Sequence, residues 1–326
     1  AEGLSVTRTY TSNTEMTLDD MEMTMNGQPL PMEIEMDMDM TMSQRVVVTD
    51  EFGALSGGRP ARLVRSYDEL TQQSDFSVQM EMMPEGGQDR SIEAESELEG
   101  KKVVFAWNED DGAYDTSFDG GEGDTELLEG LEEDMDLRAL LPAGEVAEGD
   151  TWSIEAKNLR DLLAFGGNLK LKPTDMEDLD MGGMPGMDSM SDFSSVFGDM
   201  LEGDATAEYR GTRELDGVSC AVIHLVIDIS ASADISDKVR DAMGEMPEQI
   251  TSAEIDHMDL ELEMEGEGDL YWDQATGVVH SFELSGTTGM AMDMAMNMAM
   301  GEQSMSMEQM MQLSGTFTNS LKVTRN

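Results

Sequence analysis

Between residues 32 and 48 the side chains alternate by type. Met32, Ile34, Met36, Met38, Met40, Met42, Val46 and Val48 share one parity, and Glu33, Glu35, Asp37, Asp39, Thr41 and Ser43 share the other. A period of two sends successive residues to opposite faces of a strand, whereas a helix would scatter both sets around its circumference. Residues 4–25 alternate in the same way, and Asn26-Gly27-Gln28-Pro29 joins the two runs with a hairpin-turn dipeptide. The pattern predicts a long β-hairpin. A β-bulge is expected at Asp19-Asp20, because Met16 and Leu18 are even while Met21, Met23 and Met25 are odd.

Further strands are predicted at 61–67, 76–82, 91–98, 101–107, 113–118 and 152–156, with turns at 84–87 and 108–112. The period changes to a helical one at 125–131, 136–141 and 158–165, and short helices are also predicted at 191–201 and 235–246. Residues 205–215 and 218–229 read as a hairpin turning at Asp216-Gly217, and 253–273, 278–300 and 305–323 as three long strands. In the last of these Met305, Met307, Met311, Leu313 and Phe317 answer the stripe Met290, Met292, Met294, Met296, Met298 and Met300. The chain ends therefore look alike and are expected as similar hairpins flanking one sheet. No fixed period of 20 to 50 residues recurs, so a solenoid is not expected. The resulting fold class is mainly β: one long curved antiparallel sheet or half-barrel with a few helices packed on one face. Residues 1–326 are expected as a single elongated β domain, 124–202 as a helical and loop insertion on the sheet, and 172–190 as a flexible Met/Gly/Asp-rich loop that could act as a lid.

Charge excludes whole classes of partner. With 70 Asp and Glu against 19 Lys and Arg the net charge is −51, so nucleic acid and anionic membranes are repelled. Screening such a surface calls for salt or a bound divalent cation, which fits a halophilic setting as well as a merely soluble acidic surface. The single cysteine, Cys220, sits in an apolar run and reads as a small buried hydrophobe. No apolar stretch reaches the roughly 18 residues of a spanning helix. The start at Ala1 reads as a mature chain after signal-peptide removal, so a secreted or periplasmic location is expected.

Three short landmarks carry a resemblance: Leu140-Leu141-Pro142, then Val146-Ala147-Glu148-Gly149-Asp150-Thr151-Trp152, and Tyr271-Trp272-Asp273-Gln274-Ala275-Thr276-Gly277 with 278–286 after it. They resemble landmarks of uncharacterised exported bacterial β-rich proteins. More loosely, a long antiparallel sheet with helices on one face is similar to the lipoprotein-carrier half-barrel, which implies acyl chains held between sheet and helices. Neither resemblance supplies catalytic residues.

Methionine, at 33 residues, needs a reason. The plainest is that it serves as the core-facing hydrophobe of each strand. The functional alternative is an adaptable cavity for an acyl chain or other hydrophobic small molecule or lipid, with Met36, Met38, Met40, Met292, Met294 and Met296 on the strands and Met184 and Met187 on the loop as contacts. A Cu(I) site is disfavoured, because the long stripes contain neither His nor Cys. The acidic face of Asp259, Glu261, Glu263, Glu265 and Glu267 reads first as solvated surface that discourages edge-to-edge aggregation, and second as a place to share Ca²⁺. One local pattern is sharper: Asp115, Ser117, Asp119, Gly121 and Glu126 resemble the spacing of an EF-hand calcium loop. Glu122 and the strand-like lead-in depart from it, while Asp124 fits as an N-cap.

No zinc spacing links His224, His257 and His280, and there is no nucleophile elbow and no phosphate loop. No catalytic residue is nominated, and a non-enzyme is expected. Two functions follow: an exported binding protein of the bacterial cell envelope holding a hydrophobic ligand on a Met-lined face, or a structural surface or fibre-forming protein that self-associates through strand pairing, screened by calcium or salt.

Overall fold

The computed structural model describes residues 2–29, 36–56, 59–80, 88–121, 123–174, 200–237, 240, 252–300 and 303–326. Its strands are β1 (Ser5–Met25), β2 (Gln28–Pro29), β3 (Met36–Phe52), β4 (Leu55–Ser56), β5 (Arg59–Pro60), β6 (Arg62–Met80), β7 (Gln88–Ser96) and β8 (Lys102–Asn108). They continue as β9 (Ala113–Phe118), β10 (Thr151–Ile154), β11 (Leu171–Pro173), β12 (Glu202–Leu215), β13 (Val218–Asp234), β14 (Ser252–Asp273), β15 (Val278–Met300) and β16 (Gln303–Arg325). Apart from the β4–β5 pair, they form one sheet in the order β10-β12-β13-β14-β15-β16-β1-β3-β6-β7-β11, with β2 on β1 and β8 and β9 beside β6. Every pairing is antiparallel and the sheet does not close into a barrel.

The mainly β, antiparallel fold is as the alternation predicts, down to local detail. The register of β1 against β16 slips between Leu18 and Asp20, where the phase of the methionines changes. Asn26 and Gly27 (φ 53° and 72°), like Asp216 and Gly217 (φ 51° and 79°), take the left-handed conformations that tight hairpins require. Two strands predicted at 61–67 and 76–82 are one, β6, because nothing between them breaks the backbone.

The expectation of helices on one face needs correction. The segments at 125–131, 136–141 and 158–165 give only 3-10 turns at Thr125–Leu128, Arg138–Leu140 and Ala156–Leu159, and one turn of helix, α1 (Arg160–Leu163). Each apolar run is too short to repay helix nucleation, and Gly130, Pro142 and Gly166 stop it. The helices expected at 191–201 and 235–246 fall largely outside the described residues. The similar chain ends do not flank the sheet but meet at its centre, where β16 pairs with β1 from Val6↔Arg325 to Met25↔Met307.

Register also settles how acidic strands lie side by side. Across β13, β14 and β15, Glu263 faces Ser230 and Gly289, and Glu261 faces Ser232 and Ala291. Glu261 and Glu263 thus avoid like-charge pairing, whereas Asp259 lies between Asp234 and Asp293 and Glu265 opposite Asp228, direct like-charge pairs that carry a cost. Their inward neighbours Leu260, Leu262 and Met264 are buried.

Strands β1, β14, β15 and β16 run to 21, 22, 23 and 23 residues, about 70 Å at ~3.3 Å per residue. The buried face changes character along them. At the base, where both termini lie, it is Val6, Tyr10, Val46, Val48, Leu63, Tyr67, Phe105 and Phe282; toward the far end it becomes Met16, Met38, Met40, Met264, Met290, Met292 and Met311.

The base also buries charge. Arg8, Asp50, Arg65 and Asp136 are each at most 2% exposed. Asp50 accepts from Arg8 (2.5 Å) and from Arg65 (2.8 and 2.9 Å), while Asp136 accepts from Arg8 at 2.7 Å. Arg65 donates also to the carbonyls of Glu132 (2.8 Å) and Glu133 (2.9 Å), tying residues 132–136 to the sheet. Burial alone would lower the Arg65 pKa; Asp50 beside it more than offsets this and holds the guanidinium charged.

Candidate functional site

The strands that end the main strand order, β10 and β11, are consecutive in the chain, so residues 155–170 between them pass from one side of the sheet to the other across the inner face. This strap contributes Leu159, Leu162, Phe165 and Leu169, all at most 4% exposed. Phe165 stacks on Tyr10 with centroids 4.3 Å apart, and the Tyr10 hydroxyl donates to the Leu162 carbonyl at 3.1 Å. Burial raises the Tyr10 pKa, so that hydroxyl stays a donor. Gly167 (φ 82°) bridges to Leu131, and a Cβ there would lie 2.2 Å from the Gly130 carbonyl oxygen. Only glycine fits where the strap crosses that segment.

Immediately beyond the strap, toward the methionine end, lies a cavity of about 180 Å³. Its sheet wall is Met16, Met40, Met42, Leu262, Met264, Met290 and Phe317, and its roof includes Leu162, Phe165 and Leu169. Among the described residues no Asp or Glu lines it, although 70 of the chain's 326 residues are acidic, and Lys170 is the one charged lining residue among them. The volume is close to the ~150 Å³ that admits a benzene-sized guest and below the ~300 Å³ at which drug-sized pockets begin. It suits a small molecule or the end of a chain.

A row of neutral polar groups crosses this wall. Asn319 on β16 is the register partner of Ser12 on β1, Ser12 of Gln44 on β3, and Gln44 of Gln72 on β6, and all four line the cavity. Asn319 and Gln44 each interrupt an apolar inward stripe, between Phe317 and Leu321 and between Met42 and Val46, whereas Ser12 is followed on the same face by Thr14 and Gln72 by Ser74.

Of the expected contacts that fall among the described residues, only Met40 lines the cavity. Met38 and Met292 are buried in the main core at 6% and 8% exposure, and Met294 and Met296 form a separate patch with Ile255. The Met36 side chain, Met184 and Met187 lie outside the described residues, as does most of the loop at 172–190. Among the lining residues that pattern-reading did not name as contacts are Met16, Met42 and Met290, which belong to the recognised alternation, Met264 on β14, and the strap, whose spacing suggested a helix. The polar breaks in the inward stripes were a legible signal.

The loop that resembles a calcium site begins inside β9. Asp115 accepts from Asn108 Nδ2 (3.1 Å), Asp119 pairs with Arg62 (3.7 Å), Ser117 and Glu126 are exposed, and Gly121 is left-handed (φ 77°). Asp124 caps the following turn through the Glu126 amide at 3.0 Å, as its position predicts. Among the described residues no three of His, Cys, Asp and Glu gather as a group able to hold a metal. At the ends of the main strand order β10 covers only 205–208 of β12 and β11 only 94–96 of β7, and the free stretches beyond them carry Glu202, Asp204, Glu214 and Asp89. No helix among the described residues is long and apolar enough to cross a membrane.

No family model matches the chain, and no curated protein does. Among solved structures it is similar to the outer membrane protein OprG from Pseudomonas aeruginosa, at 7% identity over 98% of this chain and 96% of that one, with a TM-score of 0.21. An outer membrane channel from Pseudomonas putida F1 gives 8% identity, 99% and 96% coverage and a TM-score of 0.21. A DUF1329 family protein from Desulfovibrio piger gives 10%, 96%, 83% and 0.10. At such scores the likenesses carry no argument about what the chain does.

Proposed function

We propose that the chain is a non-enzymatic binding protein of the bacterial cell envelope that holds a small apolar molecule, or the end of an acyl chain, between strap and sheet. One observation carries the reading: a cavity of about 180 Å³ in a very acidic chain, walled largely by thioethers and aromatic rings and lined by no carboxylate among the described residues. Thioether side chains are unbranched and polarizable, so such a wall repacks around guests of differing shape. The strap gives the guest an apolar roof, as the half-barrel resemblance implies. The envelope location rests on the sequence landmarks 140–142, 146–152 and 271–286.

Assembly through strand pairing is the weaker reading, because carboxylates along the free stretches of β7 and β12 discourage strand addition. Calcium screening of the acidic faces stays a proposal tied to that assembly. Native mass spectrometry of protein purified from its source, with solvent extraction, tests the main reading. A bound apolar molecule is expected, and Ala164→Trp, which fills the cavity from the strap, should lose it. Protein that carries nothing and takes up no alkyl probe would overturn the reading.

A further inference from the structure

The cavity reading can be deepened to the head group of its guest, because the one charge among the described lining residues is a cation without a partner. Lys170 lines the cavity and is partly buried, and among the described residues no hydrogen bond or ion pair engages its ammonium. Two residues further on, Lys172 shows the ordinary fate of a lysine in so acidic a chain: it is exposed and pairs with Glu97 at 3.0 Å. The backbone of Lys170 is held firmly. It takes a left-handed conformation (φ 53°), uncommon for a residue other than glycine, and its amide donates to Asn168 Oδ1 at 3.0 Å, while the Asn168 amide donates to the Gly130 carbonyl at 2.9 Å. Such a conformation persists where the surroundings fix it, so the root of this lysine is set at the junction of strap and β11.

The polar row leads to the same side of the sheet. It begins at Asn319, whose amide nitrogen is turned to the Leu162 carbonyl at 3.4 Å, and ends on β6 at Gln72. Gln72 is the register partner of Ala94 on β7, and Ala94 that of Pro173 on β11, the strand that directly follows Lys170. Gln44 and Gln72 line the cavity, and no hydrogen bond among the described residues engages either side chain. One ammonium and two carboxamides are thus free to donate. From that level Met42 and Met40 on β3, with Met16 on β1, continue the wall toward the far end. A carboxylate with a short alkyl tail matches both parts, its oxygens accepting from Lys170 and the two glutamines and its tail lying on the thioethers. A neutral guest would leave the ammonium unpaired, and a cationic one would meet a like charge. The net charge of −51 repels anions at long range, but salt at 0.1 M screens that repulsion beyond about 10 Å and weakens a contact pair much less.

We infer that the cavity takes alkyl carboxylates, with Lys170 as the partner of the head group; the inference rests on the cavity being a binding site, as proposed above. Three probes of similar size separate the possibilities by ligand-observed NMR titration of the full chain at neutral pH and about 0.1 M salt: hexanoate, its neutral isostere hexanamide, and hexylammonium. Hexanoate should bind about 10-fold more tightly than hexanamide, and hexylammonium more weakly than either. Lys170→Met keeps the length of the side chain without its charge and should bring hexanoate and hexanamide within about 2-fold of each other, whereas Lys170→Arg should keep the preference. The wild-type comparison stands even if the variants fail to fold. Hexanamide or hexylammonium binding as tightly as hexanoate, or a preference for hexanoate that survives in Lys170→Met, would overturn the inference while leaving the cavity a binding site. Binding of none of the three would overturn the cavity reading itself.

Discussion

The base and the far half of the sheet use the same strands, pairing and alternation, yet they are filled differently. At the base the inward face is Val, Leu, Phe and Tyr around a buried charge network in which Asp50 accepts from both Arg8 and Arg65. In the far half it is mostly methionine, with no buried ion pair among the described residues. Branched and aromatic side chains have few rotamers and specify one packing, whereas thioethers accept many. The cavity lies at the seam, where the strap ends and the methionines begin. Rigidity on one side and adaptability on the other suit a site that must be held in place yet accept a guest.

Breaking the base should have the largest effect. Asp50→Ala leaves two buried guanidinium groups without their shared partner, and a loss of about 3–5 kcal/mol in urea unfolding is expected; a loss under about 1 kcal/mol would show that the network does not hold the base. The seam comes next. A Cβ at Gly286 would lie 1.9 Å from the Glu265 carbonyl oxygen and one at Gly315 1.8 Å from that of Glu15, so the strands meet there only through glycine. Gly286→Val should cost about 2–3 kcal/mol, read as a lowered unfolding midpoint.

Alkali should separate the two halves as well. Burial pushes the Tyr67 phenol up to about 12, above its ordinary 10. A folded-state pKa raised in this way contributes stability that is fully present below pH 10 and lost as pH rises through about 12. Tyr67 should therefore contribute a loss on the order of 2–3 kcal/mol across that window, to which the buried Tyr10 adds, and Tyr67→Phe should remove the Tyr67 share. Smaller still is Met292→Leu in the far half, a volume-conserving exchange expected to cost less than about 1.5 kcal/mol, against about 2–5 kcal/mol for Leu63→Ala at the base. If the two losses came out equal, the adaptable far core would be the wrong description. The smallest effect belongs to the outer face, where Glu263→Gln should change stability by no more than about 0.5 kcal/mol and slightly reduce its dependence on salt.

Much of this architecture was legible in single residues. Met38 and Met40 are buried and Asp37 and Asp39 exposed, as parity requires, and the phase change at Asp19-Asp20 marked the slip in register. The candidate site was legible only in fragments. Met40 was named for the right reason, whereas Met294 and Met296 carry the same signal and pack elsewhere. Parity tells which way a methionine points but not what covers it. The strap was misread because the apolar spacing of Leu159, Leu162 and Phe165 fits a helix, although only one turn forms before Gly166 and Gly167. Nothing local announced Arg8, Asp50, Arg65 and Asp136 as partners, since they come together from three strands and a loop.

Local alternation was enough to determine that this chain forms strands, which face of each is apolar, and where the hairpins turn, because those properties depend on neighbours one or two residues apart. Tertiary structure alone decided that the two chain ends share the centre of the sheet and that 155–170 crosses it from one side to the other. It also decided that Asn319, Ser12, Gln44 and Gln72, polar residues on four separate strands, fall in one row. Strand order and register arise from pairing between distant segments, and a shift of two residues in any one strand would keep every parity while dissolving that row.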